Sequence, residues 1–265
     1  MIISESVTTI SVSSVKVKPI MSLAGTIRIV CIGDSLTAGS ESADYPALLQ
    51  QRLGSRAFVT NLGKNGATTG SVLRHLNIIA RSEADVAVIL LGTNDVLFMF
   101  DSRMKWVARF RGPSDPGTFA QNLRAIAQAF TNVGTRVLLV APPPFGENPN
   151  HVLNHALAPY IEHVKHIATE RGCKYIPLNE EIGRCLDEGK RKGSEVEPAA
   201  TSLAYKALFK KRVLGRSWDQ IADEAGLAFT IDGVHLNDRG ARILVELVVS
   251  ALEEVIAHEA SQAGM

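Results

Sequence analysis

Short, uninterrupted apolar runs alternate along this chain with longer stretches in which apolar residues recur every three to four positions. The runs at 27–32, 57–61, 85–91, 135–141 and 174–177 predict β-strands. The periodic stretches at 44–54, 70–80, 118–133, 153–171, 201–213 and 238–258 predict amphipathic helices. Strands and helices alternating on this spacing imply a parallel sheet covered by helices on both faces. The run Val86-Ala87-Val88-Ile89-Leu90-Leu91 has no polar position, as expected of a strand buried on both sides. Gly134 and Gly172 fall just after helical patterns, where a terminating glycine belongs.

No internal repeat or Pro/Ser/Gly-rich linker divides the chain. The expected organisation is a flexible N-terminal tail, 1–25, followed by one domain, 26–260, with insertions at about 97–116 and 185–218. The first insertion carries Phe98, Phe100, Trp106 and Phe110 among basic residues, and the second is strongly charged.

Composition narrows the classes of function. Hydrophobic residues make up 46% of the 265 and the net charge is +1, so the chain is expected to bind no nucleic acid, which requires a concentrated basic face. Five basic residues between Lys206 and Arg216 read as a solvated helix face. No apolar run approaches the roughly 20 residues of a membrane-spanning helix, so no stable membrane insertion is expected. The first 25 residues do not have the pattern of a secretory signal. Cys31, Cys173 and Cys185 form no C-x-x-C pair and fit a reducing compartment, which makes a cytoplasmic location the expectation.

Ser35, in Gly33-Asp34-Ser35-Leu36-Thr37, follows the first strand. The carboxyl end of a strand in an open α/β sheet is where reactive groups meet ligands. Two roles are open to it, helix N-cap and nucleophile. A nucleophilic serine needs a base, and His235 in Asp232-Gly233-Val234-His235 suits that task because imidazole titrates near neutrality. Asp232, three residues earlier, is placed to orient one ring nitrogen while the other faces Ser35. Asn94 in Gly92-Thr93-Asn94-Asp95 and Gly66 in Asn65-Gly66 follow two further strands. With the N–H of Ser35, they offer three donors to an oxyanion. Asn94 also fits a plain turn residue, and Asp34 and Asp95 read as structural.

Other motifs point away from cofactors. Position 37 is Thr, so the G-x-S-x-G elbow of α/β-hydrolases is absent, as are the dinucleotide and P-loop glycine patterns. His151 and His155 have i, i+4 spacing, but Val152 stands where H-E-x-x-H has Glu. No metal and no cofactor are expected. Phe98, Phe100 and Pro143 are candidates for an apolar substrate pocket, with ordinary core packing the alternative for the aromatics.

The four blocks Gly33-Asp34-Ser35-Leu36, Asn65-Gly66, Gly92-Thr93-Asn94-Asp95 and Asp232-Gly233-Val234-His235 stand in the order found in SGNH hydrolases, the GDSL esterase/lipase family, which this chain resembles. The phrase Asn61-Leu62-Gly63-Lys64-Asn65-Gly66-Ala67-Thr68 is most similar to the small arylesterase and thioesterase branch. The resemblance implies a three-layer α/β/α, flavodoxin-like fold with a five-stranded parallel sheet in the order 2-1-3-4-5. It implies a triad of Ser35, His235 and Asp232, oxyanion donors at Ser35, Gly66 and Asn94, and hydrolysis of a small-molecule ester through an acyl-serine. An acyltransferase or carbohydrate deacetylase using the same residues is the first alternative, and a non-catalytic binding module is the second. Oligomeric state is not legible.

Overall fold

The computed structural model describes residues 25–76, 83–101, 112, 114–188 and 201–263. The expected tail therefore lies almost wholly outside the described residues, as do Trp106 and Phe110. Five strands, β1 (Ile27–Gly33), β2 (Ala57–Asn61), β3 (Val86–Leu90), β4 (Arg136–Val140) and β5 (Lys174–Ile176), form one sheet in the order β2-β1-β3-β4-β5. Every pairing is parallel, with Ile29 opposite both Val59 and Val86 and Val88 opposite Leu138. The chain steps from β1 to β2 on one side and then to β3 on the other. The sheet order thus reverses beside β1, and in open α/β sheets ligands bind at the carboxyl ends of the strands at such a reversal.

Because successive side chains of a strand point to opposite faces, the same strands feed two cores. Ile29 and Cys31 of β1, Val86, Val88 and Leu90 of β3, and Leu138 and Val140 of β4 face one way. There they meet Leu49 of α2 (Tyr45–Leu53), Ile182 of a helix at Leu178–Glu188, and Leu244 and Val248 of a helix at Asp238–Ala263. Val30, Ile32, Ala87, Ile89, Val137 and Leu139 face the other way. They pack on α3 (Thr69–Arg74), α5 (Pro116–Thr131) and α6 (Val152–Arg171) through residues such as Val72, Phe119, Ile126, Tyr160 and Val164. On that side the Phe119 and Tyr160 rings meet edge to face, 5.0 Å apart, and the Tyr160 hydroxyl donates to Ser114 O. This is the three-layer α/β/α architecture that the family resemblance implied.

The remaining helices are α1 (Ser35–Ala38) directly after β1, α4 (Thr93–Phe100) directly after β3, α7 (Leu178–Glu188), α8 (Thr201–Val213), α9 (Trp218–Glu224) and α10 (Asp238–Ala263). Several bounds differ from the sequence pattern. Residues 97–100, read as the start of an insertion, are the last turn of α4. The helix expected over 70–80 ends at Arg74, held by the Ser71 and Thr68 capping box at its start, and 77–82 lie outside the described residues. The charged 185–218 segment includes the end of α7 and all of α8. Lys210 of α8 pairs with Glu224 at 2.6 Å, and Lys211 lies over the Trp218 ring, so part of the basic face is internally neutralised. Among the described residues, no helix is long and apolar enough to cross a membrane.

Candidate active site

Ser35 is the first residue of α1, and Asp34 rather than Ser35 caps that helix, its Oδ1 accepting from Leu36 N at 2.9 Å. The turn into α1 is tight. A Cβ on Gly33 would stand 2.1 Å from Thr37 Oγ1 and 2.5 Å from Leu90 O, so only glycine fits there. Standing at the start of a helix, the Ser35 N–H has no carbonyl partner one turn back within that helix.

Ser35 Oγ lies 2.9 Å from His235 Nε2, and His235 Nδ1 lies 2.8 Å from Asp232 Oδ2. The other Asp232 oxygen accepts from Val234 N at 3.0 Å and from His235 N at 2.8 Å. That pattern orients the imidazole: Nδ1 faces the carboxylate, and in the neutral ring with Nδ1 protonated, Nε2 is left to accept from Ser35. The histidine's turn is braced from outside. Gly146 N donates to Gly233 O at 2.6 Å, and Ile231 N donates to His235 O. The buried Glu147 carboxylate accepts from the N–H groups of Ala228, Phe229 and Thr230.

Asn94, on the first turn of α4, donates one amide hydrogen to Ala67 O at 3.1 Å. A carboxamide carries two such hydrogens, so the bond both orients the group and leaves the second free for a ligand. Gly66 adopts φ +70, a left-handed conformation that glycine accepts without cost. Asp95 accepts from Thr69 N and Thr69 Oγ1, which anchors α3 to α4 beneath the site. Residues 61–64 wrap onto the Ser35 turn: Lys64 N donates to Gly33 O, and Asn61 Nδ2 donates to Thr37 O at 2.8 Å.

Ionisation follows these contacts. Burial raises the Asp34 carboxyl to about 7, with one oxygen unpartnered among the described residues. Burial likewise lifts Asp95 to about 6, against its bonds to Thr69. For Asp232, burial is outweighed by the charge and hydrogen bonds of His235, which hold it below the usual carboxylate range. For His235, burial acts to lower the value, but the Asp232 and Glu41 carboxylates overcome it and raise it above the usual imidazole range.

Of the expected pocket residues, Phe98 is packed in the core beside Val96 and Leu97, Pro143 is buried, and Phe100 is exposed. His151 caps α6, its Nδ1 accepting from Leu153 N, while His155 is exposed. Two site residues had no mark in the sequence. Glu147 and Glu41 are lone carboxylates in loops, and their partners are backbone groups and an imidazole far along the chain.

Many solved structures share this fold, three of them as follows. An acetylxylan esterase from Geobacillus stearothermophilus is 18% identical, with a TM-score of 0.61, covering 88% of this chain and 95% of its own. An alpha/beta hydrolase enzyme from the metagenome of Lake Arreo, Spain, is 18% identical, with a TM-score of 0.61 and coverages of 85% and 94%. An acetyl xylan esterase is 20% identical, with a TM-score of 0.59 and coverages of 85% and 99%. No curated protein matches the sequence. The model of the GDSL-like lipase/acylhydrolase family matches residues 31–243, a span that runs from β1 through the histidine's turn into α10; the chain belongs to that family.

Proposed function

We propose that this ester hydrolase works through Ser35 as nucleophile, His235 as general base and acid, and Asp232 as the group that orients the imidazole. The observation that carries the assignment is the continuous chain Ser35 Oγ–His235 Nε2 at 2.9 Å and His235 Nδ1–Asp232 Oδ2 at 2.8 Å. An unassisted serine hydroxyl is a poor nucleophile at neutral pH, and an adjacent neutral imidazole removes its proton as attack begins. The tetrahedral oxyanion is held by the N–H groups of Ser35 and Gly66 and by the free Asn94 amide hydrogen. His235 returns the proton to the departing alcohol as the C–O bond breaks. In the second half of the cycle it takes a proton from water as the water oxygen attacks the acyl carbon, and it gives that proton to Ser35 Oγ as the C–O bond to serine breaks and the acid leaves. Asp232 keeps its charge throughout and stabilises each transient imidazolium.

The proposed substrate is a small-molecule ester, and the acyl group is an acetyl on a carbohydrate. Two structural neighbours described as acetylxylan esterases favour this reading. Ser35→Ala should lower kcat on p-nitrophenyl acetate by about 10⁴–10⁶ and abolish labelling by a fluorophosphonate. Near wild-type turnover by that variant would overturn the assignment. A panel of acetylated xylosides beside aryl esters of rising acyl length tests the substrate, and equal rates across it would remove the carbohydrate reading. The free thiols of Cys31, Cys173 and Cys185 support a reducing, cytoplasmic location.

A further inference from the structure

The loop joining α1 to α2 carries one carboxylate at the mouth of the site, Glu41. Its surroundings are fixed on both sides. Ser40 Oγ and the Asn65 side chain are hydrogen-bonded. Ser42 Oγ donates to Ser35 O at 3.1 Å, Ala43 N donates to Leu236 O at 2.9 Å, and Asp44 caps α2. The loop is therefore pinned to the nucleophile's turn at one point and to the histidine's turn at another. Between these pins, Glu41 Oε2 lies 3.8 Å from His235 Nε2, the nitrogen that also meets Ser35 Oγ. The Glu41 side chain is 38% exposed and that of His235 14%, so the carboxylate lies on the solvent side of the dyad.

That position coincides with where a leaving group must pass. To be protonated, the departing oxygen has to sit within about 3 Å of Nε2. It then lies beside the Glu41 carboxylate, within reach of a group one carbon further along the alcohol. A carboxylate accepts hydrogen bonds and donates none, so it is matched to a hydroxyl there and mismatched to an apolar or anionic substituent.

We propose that Glu41 is a specificity-determining residue that accepts a hydrogen bond from a hydroxyl on the carbon adjacent to the ester-bearing carbon. This selects esters of vicinal polyols, such as sugars and glycerol, over those of simple alcohols. The inference rests on the roles given above to Ser35 and His235. Glu41 carries no proton through the cycle: the proton on the leaving oxygen comes from Nε2, and the carboxylate acts on the neighbouring hydroxyl alone. Its partial exposure limits the discrimination to about ten-fold, below what a fully buried acceptor achieves.

The test compares glycerol 1-acetate with propyl acetate, which share the acyl group and carbon skeleton and differ in the hydroxyls. The wild type should prefer glycerol 1-acetate in kcat/KM. Glu41→Ala should reduce that preference about ten-fold, and Glu41→Gln, which keeps a carbonyl acceptor without the charge, about three-fold. The charged and titratable groups facing His235 are Asp232 from its own turn, Asp34 and Glu41. Losing the Glu41 charge should therefore also move the acid limb of kcat/KM to lower pH with both substrates. A preference unchanged in both variants while the acid limb moves would overturn the inference, leaving Glu41 as an electrostatic neighbour of His235 only. A wild type without preference would overturn it too. Fluorophosphonate labelling at Ser35, run on the same samples, separates this failure from failure of the nucleophile assignment, in which no variant would label.

Discussion

Two aspartates flank the serine–histidine pair, equally hidden from water, and their carboxyls are shifted in opposite directions. Asp34 and Asp232 are 0% and 1% exposed. Asp34 has one hydrogen bond, from Leu36 N, and burial raises its carboxyl to about 7. Asp232 has three N–H partners, two from the backbone and one from the His235 ring, and it is held below the ordinary range. Burial by itself neutralises a carboxyl, and only a countercharge with hydrogen bonds to both oxygens keeps it anionic. The Ser35 turn therefore uses its aspartate as the acceptor of a helix cap, whereas the His235 turn uses its aspartate as a countercharge to the imidazole.

The sharpest way to break this contrast is to remove each charge while keeping its shape. Asp232→Asn should lower kcat by about 10⁴, because an amide permits the wrong imidazole tautomer; steady-state turnover of p-nitrophenyl acetate measures it. Asn94→Ala, which removes one oxyanion donor and leaves both aspartates in place, should cost about 10²–10³ in kcat. A brace outside the site ranks next. Glu147→Ala leaves the buried N–H groups of Ala228 and Thr230 without their acceptor and should cost about 3 kcal/mol of stability, read by denaturant unfolding.

Smaller effects are expected in pH dependence. The Asp34 carboxyl is raised in the folded state, so the folded protein holds more protons than the unfolded chain between about pH 4 and about 7. Stability should fall as pH rises through that window. Asp34→Asn keeps the capping oxygen and removes the slope, which unfolding curves at several pH values will show. The raised His235 has a kinetic counterpart: its deprotonation sets the acid limb of kcat/KM, which should lie above the usual 6.5. The pair's contribution to stability is complete below 6.5 and declines as pH rises through the folded-state value.

How much of this was legible in the sequence depends on the range over which each signal acts. The strands were visible because Val86 to Leu90 and Arg136 to Val140 lie between two helical layers, and burial on both faces leaves little room for polar residues. The four site blocks were visible because each is a short turn whose chemistry is local. Helix α7 was missed although Leu178, Ile182 and Leu186 recur at i, i+4 and i+8, since the charges between them read as an interruption. The start of α4 was hidden for another reason: Thr93 and Asn94 read as a loop after β3, yet they form the first turn of a helix that carries the amide at the carboxyl end of β3. Glu41 and Glu147 were illegible because their partners are distant in sequence, and for Glu147 they are main-chain N–H groups that leave no side-chain pattern.

The strands of the sheet are all complete by Ile176, while the base sits at His235 and the helix covering one face runs from Asp238 to Ala263. Synthesis therefore completes all five strands and the Ser35 turn before it reaches the imidazole proposed to activate the serine. On the roles proposed for Ser35 and His235, hydrolytic activity would report that the segment carrying His235 has docked against the finished sheet.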